Sequence, residues 1–214
     1  RRGTLSQARP GILRRPVSVD DVVLPDKAEA TAVALEEQAH GRSGLRDGTR
    51  LRVGQSGGSR GRDFGLRILR QDKDLARALD GTVDDLKAVL EKRDKDLVPG
   101  VFWTAFGWGN FVYLSQDNPD AIADLPRAEA LMEFVVRHDS SYYYGGANIF
   151  LGTSLGSRPR ILGGNTDLAR KHFEKALRIN GGKFLMTYVY MARSVAAQTL
   201  DEELFDTCLR SVEG

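Results

Sequence analysis

The sequence predicts an all-α protein built as stacked antiparallel helix pairs, and three observations carry that prediction. After about residue 61, apolar residues recur at helical spacing through almost the whole chain. No segment alternates with period two over strand length between turn signals. Paired large and small residues also recur: Trp103-x-x-Phe106-Gly107, then Leu151-Gly152 and Met191-Ala192, spaced 45 and 40 residues apart. Ala169-x-x-x-Phe173-x-x-Ala176 adds the second-helix signature of tetratricopeptide (TPR) repeats, in which small residues let two helices approach and large ones plug the gap. The fold class is therefore a degenerate TPR-like α-solenoid, its turns lengthened by loops such as Arg158 to Gly164.

The elements follow in order. Residues 1–60 read as a basic N-terminal arm. Pro10, Pro16 and Pro25 interrupt its first part, a short helix-compatible stretch covers 26–40, and the seven glycines from Gly41 to Gly61 leave too few apolar residues to offset the entropy of ordering. The second domain spans 61–214. A helix near Arg62 places Phe64, Ile68 and Leu69 on its inner face, and Leu75 and Leu79 follow. Thr82 caps the next helix with Asp85 closing a capping box, and Val83, Leu86 and Leu90 line its inner stripe. That helix ends before Pro99. Three pairs complete the chain. Phe102 to Leu114 pairs with a helix carrying Ile122, Leu125, Met132 and Val136 across the turn Gln116-Asp117-Asn118-Pro119. Tyr143 to Leu155 pairs with Asp167 to Ile179, which Asn180-Gly181-Gly182 stops. Phe184 to Ala197 pairs with Glu202 to Val212, introduced by a Thr199-x-x-Glu202 capping box.

Composition narrows the function classes. One cysteine among 214 residues excludes an internal disulfide framework, and Cys208 shares helical spacing with Leu204, Phe205, Leu209 and Val212, as a buried apolar thiol would. No run of about 18 apolar residues occurs, so no segment reads as a membrane span. The net charge of +2 hides an asymmetry: residues 1–70 carry a net +6 and residues 71–214 a net −4. His40, His138 and His172 lack partners at metal-ligand spacing. His172 is expected to flank the Phe173 stripe at the helix surface. The Gly54 to Ser59 segment lacks the Lys-Ser/Thr ending of a phosphate loop, and the arginines interspersed around it lack the aromatic interleaving that nucleic-acid binding calls for. Neighbouring carboxylates point apart on a helix, and no Ser-His-Asp or Cys-His set can be assembled, so neither an enzyme nor a cofactor is expected.

Two segments stand out as binding candidates. Trp103, Phe106, Trp108, Phe111 and Tyr113 crowd one helix, most of them as core plugs. Three consecutive tyrosines, Tyr142, Tyr143 and Tyr144, cannot all face inward on a helix where neighbours lie 100° apart, so at least one is expected to meet solvent, a subunit or a ligand. In the Arg158-Pro159-Arg160 loop, the arginines either cap a helix end or present guanidinium groups to a carboxylate. The candidate binding residues are thus Trp103, Trp108, Tyr142, Tyr143, Tyr144, Arg158 and Arg160, with no catalytic or metal residues.

A series of ordered segments resembles the T-components (TatT-like proteins) of TRAP transporters over residues 61–214. They include Arg62-Asp63-Phe64-Gly65-Leu66-Arg67, Val98-Pro99, Phe102-Trp103-Thr104-Ala105, Trp108-Gly109, Leu114-Ser115-Gln116-Asp117 and Ile122-Ala123-Asp124-Leu125-Pro126-Arg127. They continue through Tyr142-Tyr143-Tyr144-Gly145, Phe150-Leu151-Gly152, Ser157-Arg158-Pro159, Leu162-Gly163-Gly164, the run Ala169 to Leu177, and Gly181 to Leu185. The resemblance implies a non-catalytic, lipid-anchored periplasmic subunit that forms a homo-trimer and docks the solute-binding P-component of a tripartite ATP-independent periplasmic transporter. A small organic-acid or hydrophobic ligand is the implied solute, carried through a subunit channel. A general TPR-like adaptor for protein–protein interaction is the alternative. Relatives carry helix pairs before the Arg62 motif, so residues 1–60 are expected to be divergent or a reading-frame artefact, with the lipoprotein signal outside this sequence.

Overall fold

The structure is a computed structural model that describes residues 59–213; the expected helix at 26–40, His40 and nearly all of the basic arm lie outside the described residues. Within them the chain is helical throughout, with no strand. The order is α1 (59–69), α2 (Lys73–Asp80), α3 (Val83–Leu90), α4 (Val98–Leu114), α5 (Pro119–Ala123), α6 (Leu125–His138), α7 (Tyr142–Ser157) and α8 (Thr166–Asn180). Then α9 begins as Met186–Met191, passes through a π turn at Ala192–Ala196 and ends at Ala197–Thr199; α10 is Glu202–Glu213.

Side-chain caps start several of the helices. Asp72 accepts from the amides of Asp74 and Leu75 to cap α2, and the Thr82–Asp85 capping box forms as the spacing predicts. Asn118 caps α5 through the Asp120 amide, and Asn165 caps α8 through the Leu168 amide. Gly181, left-handed at φ 60°, closes α8.

Five local expectations are corrected. Phe64 and Ile68 stay exposed, because α1 buries instead the side carrying Leu69 and Gly65. The partner of α4 is two helices rather than one: Pro126 has no N–H to continue the ladder, the chain turns at Asp124, and Ile122 is left exposed on α5. The Thr199 capping box does not form. The Thr199 hydroxyl donates back to the Val195 carbonyl, and Asp201 caps α10 by accepting from the Leu204 amide at 2.9 Å. On α10, Cys208 is buried as expected, but Phe205 and Leu209 face solvent. His172 turns half-inward, its Nδ1 3.1 Å from Oδ1 of the fully buried Asn148, while its neighbour Lys171 remains exposed.

Glycine contacts set the helix spacing. A Cβ at Gly65 would lie 2.4 Å from Thr104 Oγ1, and one at Gly107 would lie 2.8 Å from the Arg62 amide, so α1 and α4 run antiparallel with their backbones nearly touching. On α7, Gly145 meets Ala176, Gly152 meets Phe173 and Ala169, and the Leu155 carbonyl accepts from the Asn165 amide, which makes α7 and α8 an antiparallel pair. Two apolar cores result. The first gathers Leu75, Leu86, Val101, Phe102, Leu131 and Phe134 from α1 to α7; the second gathers Ile149, Phe173, Met191, Val195 and Cys208 from α7 to α10. Helix α7 feeds both, through Ala147 and Leu151 on one side and Ile149 on the other.

Candidate functional site

The expected binding residues fall into three places. The first is an aromatic cluster where α4 meets the start of α7. Phe102 lies edge-on to Trp103 and Tyr142, with centroids 5.0 and 5.2 Å apart, and Tyr143 packs edge-on to Trp103 at 4.9 Å. The Trp103 indole donates to the Tyr142 hydroxyl at 3.2 Å, which satisfies its polar edge inside the core.

Two of the three tyrosines are not on a right-handed helix. Tyr143, Tyr144 and Gly145 take φ values of 47°, 59° and 79°, one left-handed turn ahead of the regular part of α7. Each non-glycine residue there carries a penalty of about 1–2 kcal/mol. The turn is held by the amide of Gly145 donating to Ser141 and by Asn180 Nδ2 donating to the Tyr144 carbonyl. Its consequence is that Tyr144 reaches solvent, 60% exposed, while stacking on Phe184 with centroids 5.4 Å apart and planes within 9°. A tyrosine does face outward as expected, by a left-handed turn rather than by the 100° step of a helix.

The second place is a groove of about 310 Å³ between α1, α2, α4 and α6, where Trp108 lies. Leu66, Leu79 and Trp108 form its apolar lining, and charged groups of both signs surround it. Asp124 Oδ2 accepts from the Trp108 indole at 3.3 Å. Arg127 donates to the Gly81 carbonyl at 2.8 Å and pairs with Asp124, while Arg70 pairs with Asp80 at 2.5 Å. Arg62 pairs with Asp63 and lies over the Phe111 ring at 4.1 Å. Three arginines answer three aspartates, so the groove is close to neutral. Of these residues, sequence reasoning singled out Trp108 alone. Arg62, Asp63, Leu66, Asp124 and Arg127 lie in segments that carry the family resemblance, Arg62 to Arg67 and Ile122 to Arg127, whereas Arg70, Leu79 and Asp80 lie outside them.

The third place is the α7–α8 loop. Arg158 turns back onto its own helices: its Nη2 is 2.5 Å from Glu129 on α6, its Nε donates to the Ser154 carbonyl, and Ser154 Oγ donates to the same Glu129. Arg160 is exposed and enters no ion pair recorded among the described residues. Beyond it, Ile161 and Leu162 project into solvent. Fourteen residues of mostly helical rise separate Tyr144 from Arg158, about 20 Å. The aromatic turn and the arginine loop therefore sit at opposite ends of α7 and form no single site.

The remaining reactive groups are unremarkable chemically. Burial pushes the Cys208 thiol up, away from the reactive thiolate. Burial also lowers His172, reinforced by Lys175 and opposed by Glu133. No group of three or more His, Cys, Asp or Glu residues able to hold a metal occurs among the described residues. None of their helices is long and apolar enough to cross a membrane.

Against known proteins, residues 58–213 match the TRAP transporter T-component family. No curated protein matches the chain.

Proposed function

The chain belongs to the TRAP transporter T-component family, and from that premise we propose that it is a periplasmic accessory subunit that docks the solute-binding P-component of such a transporter. The observation that carries this reading is the extent of the match, 58–213, which takes in every described helix. The absence of a membrane-crossing helix among the described residues suits a subunit that acts through its surface. The buried, high-pKa cysteine and the self-neutralised groove suit a binding protein rather than a catalyst. Lipid anchoring, assembly into a homo-trimer and handling of a small organic-acid or hydrophobic solute belong to the same proposal.

The test is direct. The full chain and the solute-binding protein encoded with its transporter are mixed and followed by calorimetry and by size exclusion with light scattering. Heat of binding and co-elution are expected. A solute-binding protein that elutes alone, with no heat at any concentration tried, overturns the docking role.

A further inference from the structure

The groove between α1, α2, α4 and α6 carries charged groups that its own ion pairs engage only in part. At about 310 Å³ it lies at the small end of ligand clefts, which run about 300–1,000 Å³. Trp108 and Leu79 are buried in its wall and Leu66 is half-buried beside them, an apolar surface for a small side chain.

Asp124 and Arg127 are anchored there without being saturated. The Gly81 carbonyl fixes Arg127 by accepting from its Nη2 at 2.8 Å. The contact of Arg127 with Asp124 is long, Nη1 to Oδ1 at 3.4 Å, and among the described residues these are the two partners that its five N–H groups meet. Asp124 likewise accepts two long hydrogen bonds, from Arg127 and from the Trp108 indole at 3.3 Å, where a carboxylate has room for about four. The two side chains are only 24% and 34% exposed, so water replaces the missing partners in part.

Charge narrows the occupant. Arg62, Arg70 and Arg127 line the groove in equal number with Asp63, Asp80 and Asp124. A simple anion would meet three carboxylates, a simple cation three guanidinium groups, and a wholly apolar solute would strand both. A solute that carries an ammonium and a carboxylate on one carbon avoids all three penalties. Its two charges sit as close together as those of Asp124 and Arg127, so the dipoles can lie antiparallel, each charge against its opposite.

We propose that this groove binds a small α-amino acid with an aliphatic side chain, its ammonium on Asp124, its carboxylate on Arg127 and its side chain against Trp108, Leu66 and Leu79. The inference rests on the solute-handling part of the reading above and narrows that solute to a dipolar one; docking of the P-component is not involved.

The experiment uses the full chain with L-leucine as the probe, followed by calorimetry and by tryptophan fluorescence, since Trp108 lines the groove. Two truncated probes each lack one charge: isocaproate lacks the ammonium and isoamylamine the carboxylate. L-leucine is expected to bind and to shift the fluorescence, and each truncated probe to bind on the order of tenfold more weakly or worse. D124N keeps an acceptor for the Trp108 indole while losing the charge, so it should weaken L-leucine on the order of tenfold and leave isocaproate unchanged or tighter. D117N, which removes a charge from an exposed turn outside the groove, should bind L-leucine as the wild type does. Helical circular dichroism checks the fold of both variants, and the three probes on the wild type decide the matter if D124N does not fold. Isocaproate binding as tightly as L-leucine overturns the dipolar solute while the organic-acid reading stands. L-leucine that gives neither heat nor a fluorescence change overturns the groove as its site, and D124N that binds it as the wild type does overturns the placement on Asp124. Co-elution with the P-component in any of these cases leaves the docking role intact.

Discussion

Leu200 shows what a single residue can reveal. It closes α9 at φ 55° with 86% of its surface in water, in a position where glycine ordinarily sits because a Cβ there crowds the following carbonyl. Little burial is lost on trimming it and a strained backbone is relieved, so Leu200→Gly should stabilise the protein by about 1 kcal/mol. A urea titration checks this: the midpoint should rise with an unchanged slope, and a fall would mean that Leu200 packs where its exposure says it does not. Tyr143 and Tyr144 share the left-handed region but not the prediction, since Tyr143 packs on Trp103 and Tyr144 on Phe184. No sequence rule places two tyrosines there. A Tyr-Tyr-Tyr-Gly-Gly run before an apolar stretch reads as an ordinary helix start, and only the tertiary contacts of Asn180 and Phe184 turn it the other way. The exposed Ile161 and Leu162 escaped notice for a related reason: beside two arginines and two glycines, an aliphatic pair gives no sign of which way it faces.

At the scale of elements, caps and close crossings decide what holds. Asp72 caps α2 and also receives Arg93 from beyond α3, with Nε–Oδ2 and Nη2–Oδ1 distances both 2.9 Å. The Arg93 hydrogen bond first, and the Leu75 amide second, hold its carboxyl at about 2, below the usual 3.8. A depressed folded-state value means the stabilisation is complete above pH 3.8 and fades as pH falls toward 2. With about a third of the Asp72 side chain in water, screening leaves about 1 kcal/mol of it. Asp72→Asn keeps a capping oxygen and removes the charge, so its stability relative to wild type should be lower at pH 6 and converge near pH 2, as read by urea melts across that range. Between α7 and α9 the decisive contact is backbone: a Cβ at Gly156 would sit 2.4 Å from the Ser194 carbonyl oxygen, inside the π turn. Gly156→Ala should therefore lower stability by about 2 kcal/mol or more, measured by thermal melting. Helix positions, the Thr82 box and the glycine stops were legible in the sequence because local spacing encodes them. The π turn and the displaced cap at Asp201 were not, since packing against Gly156 and the Arg170 pair accompany them.

At the scale of the molecule, the question is whether two apolar cores make one cooperative unit. Packed helices couple through the interfaces they share, and here the coupling runs through α7, whose Leu151 belongs to the first core and whose Ile149, two residues away, belongs to the second. Tyr143 adds a bridge, packing on Trp103 in one direction and on Phe184 in the other. The two tryptophans, Trp103 and Trp108, both report the first core, whereas far-ultraviolet circular dichroism reports every helix. In the wild type the two signals should follow one urea transition. Phe173, fully buried in the second core, provides the perturbation: Phe173→Ala should destabilise by about 3–5 kcal/mol. If α7 transmits that loss, tryptophan fluorescence and circular dichroism shift together to the same lower midpoint. A helical signal lost well before the fluorescence would instead mean that α8 to α10 melt as a separate lobe. The interior apolar contacts of α7 favour the first outcome, because melting α8 would strip the Ile149 face of a helix whose other face still holds Phe102 and Trp103 in place.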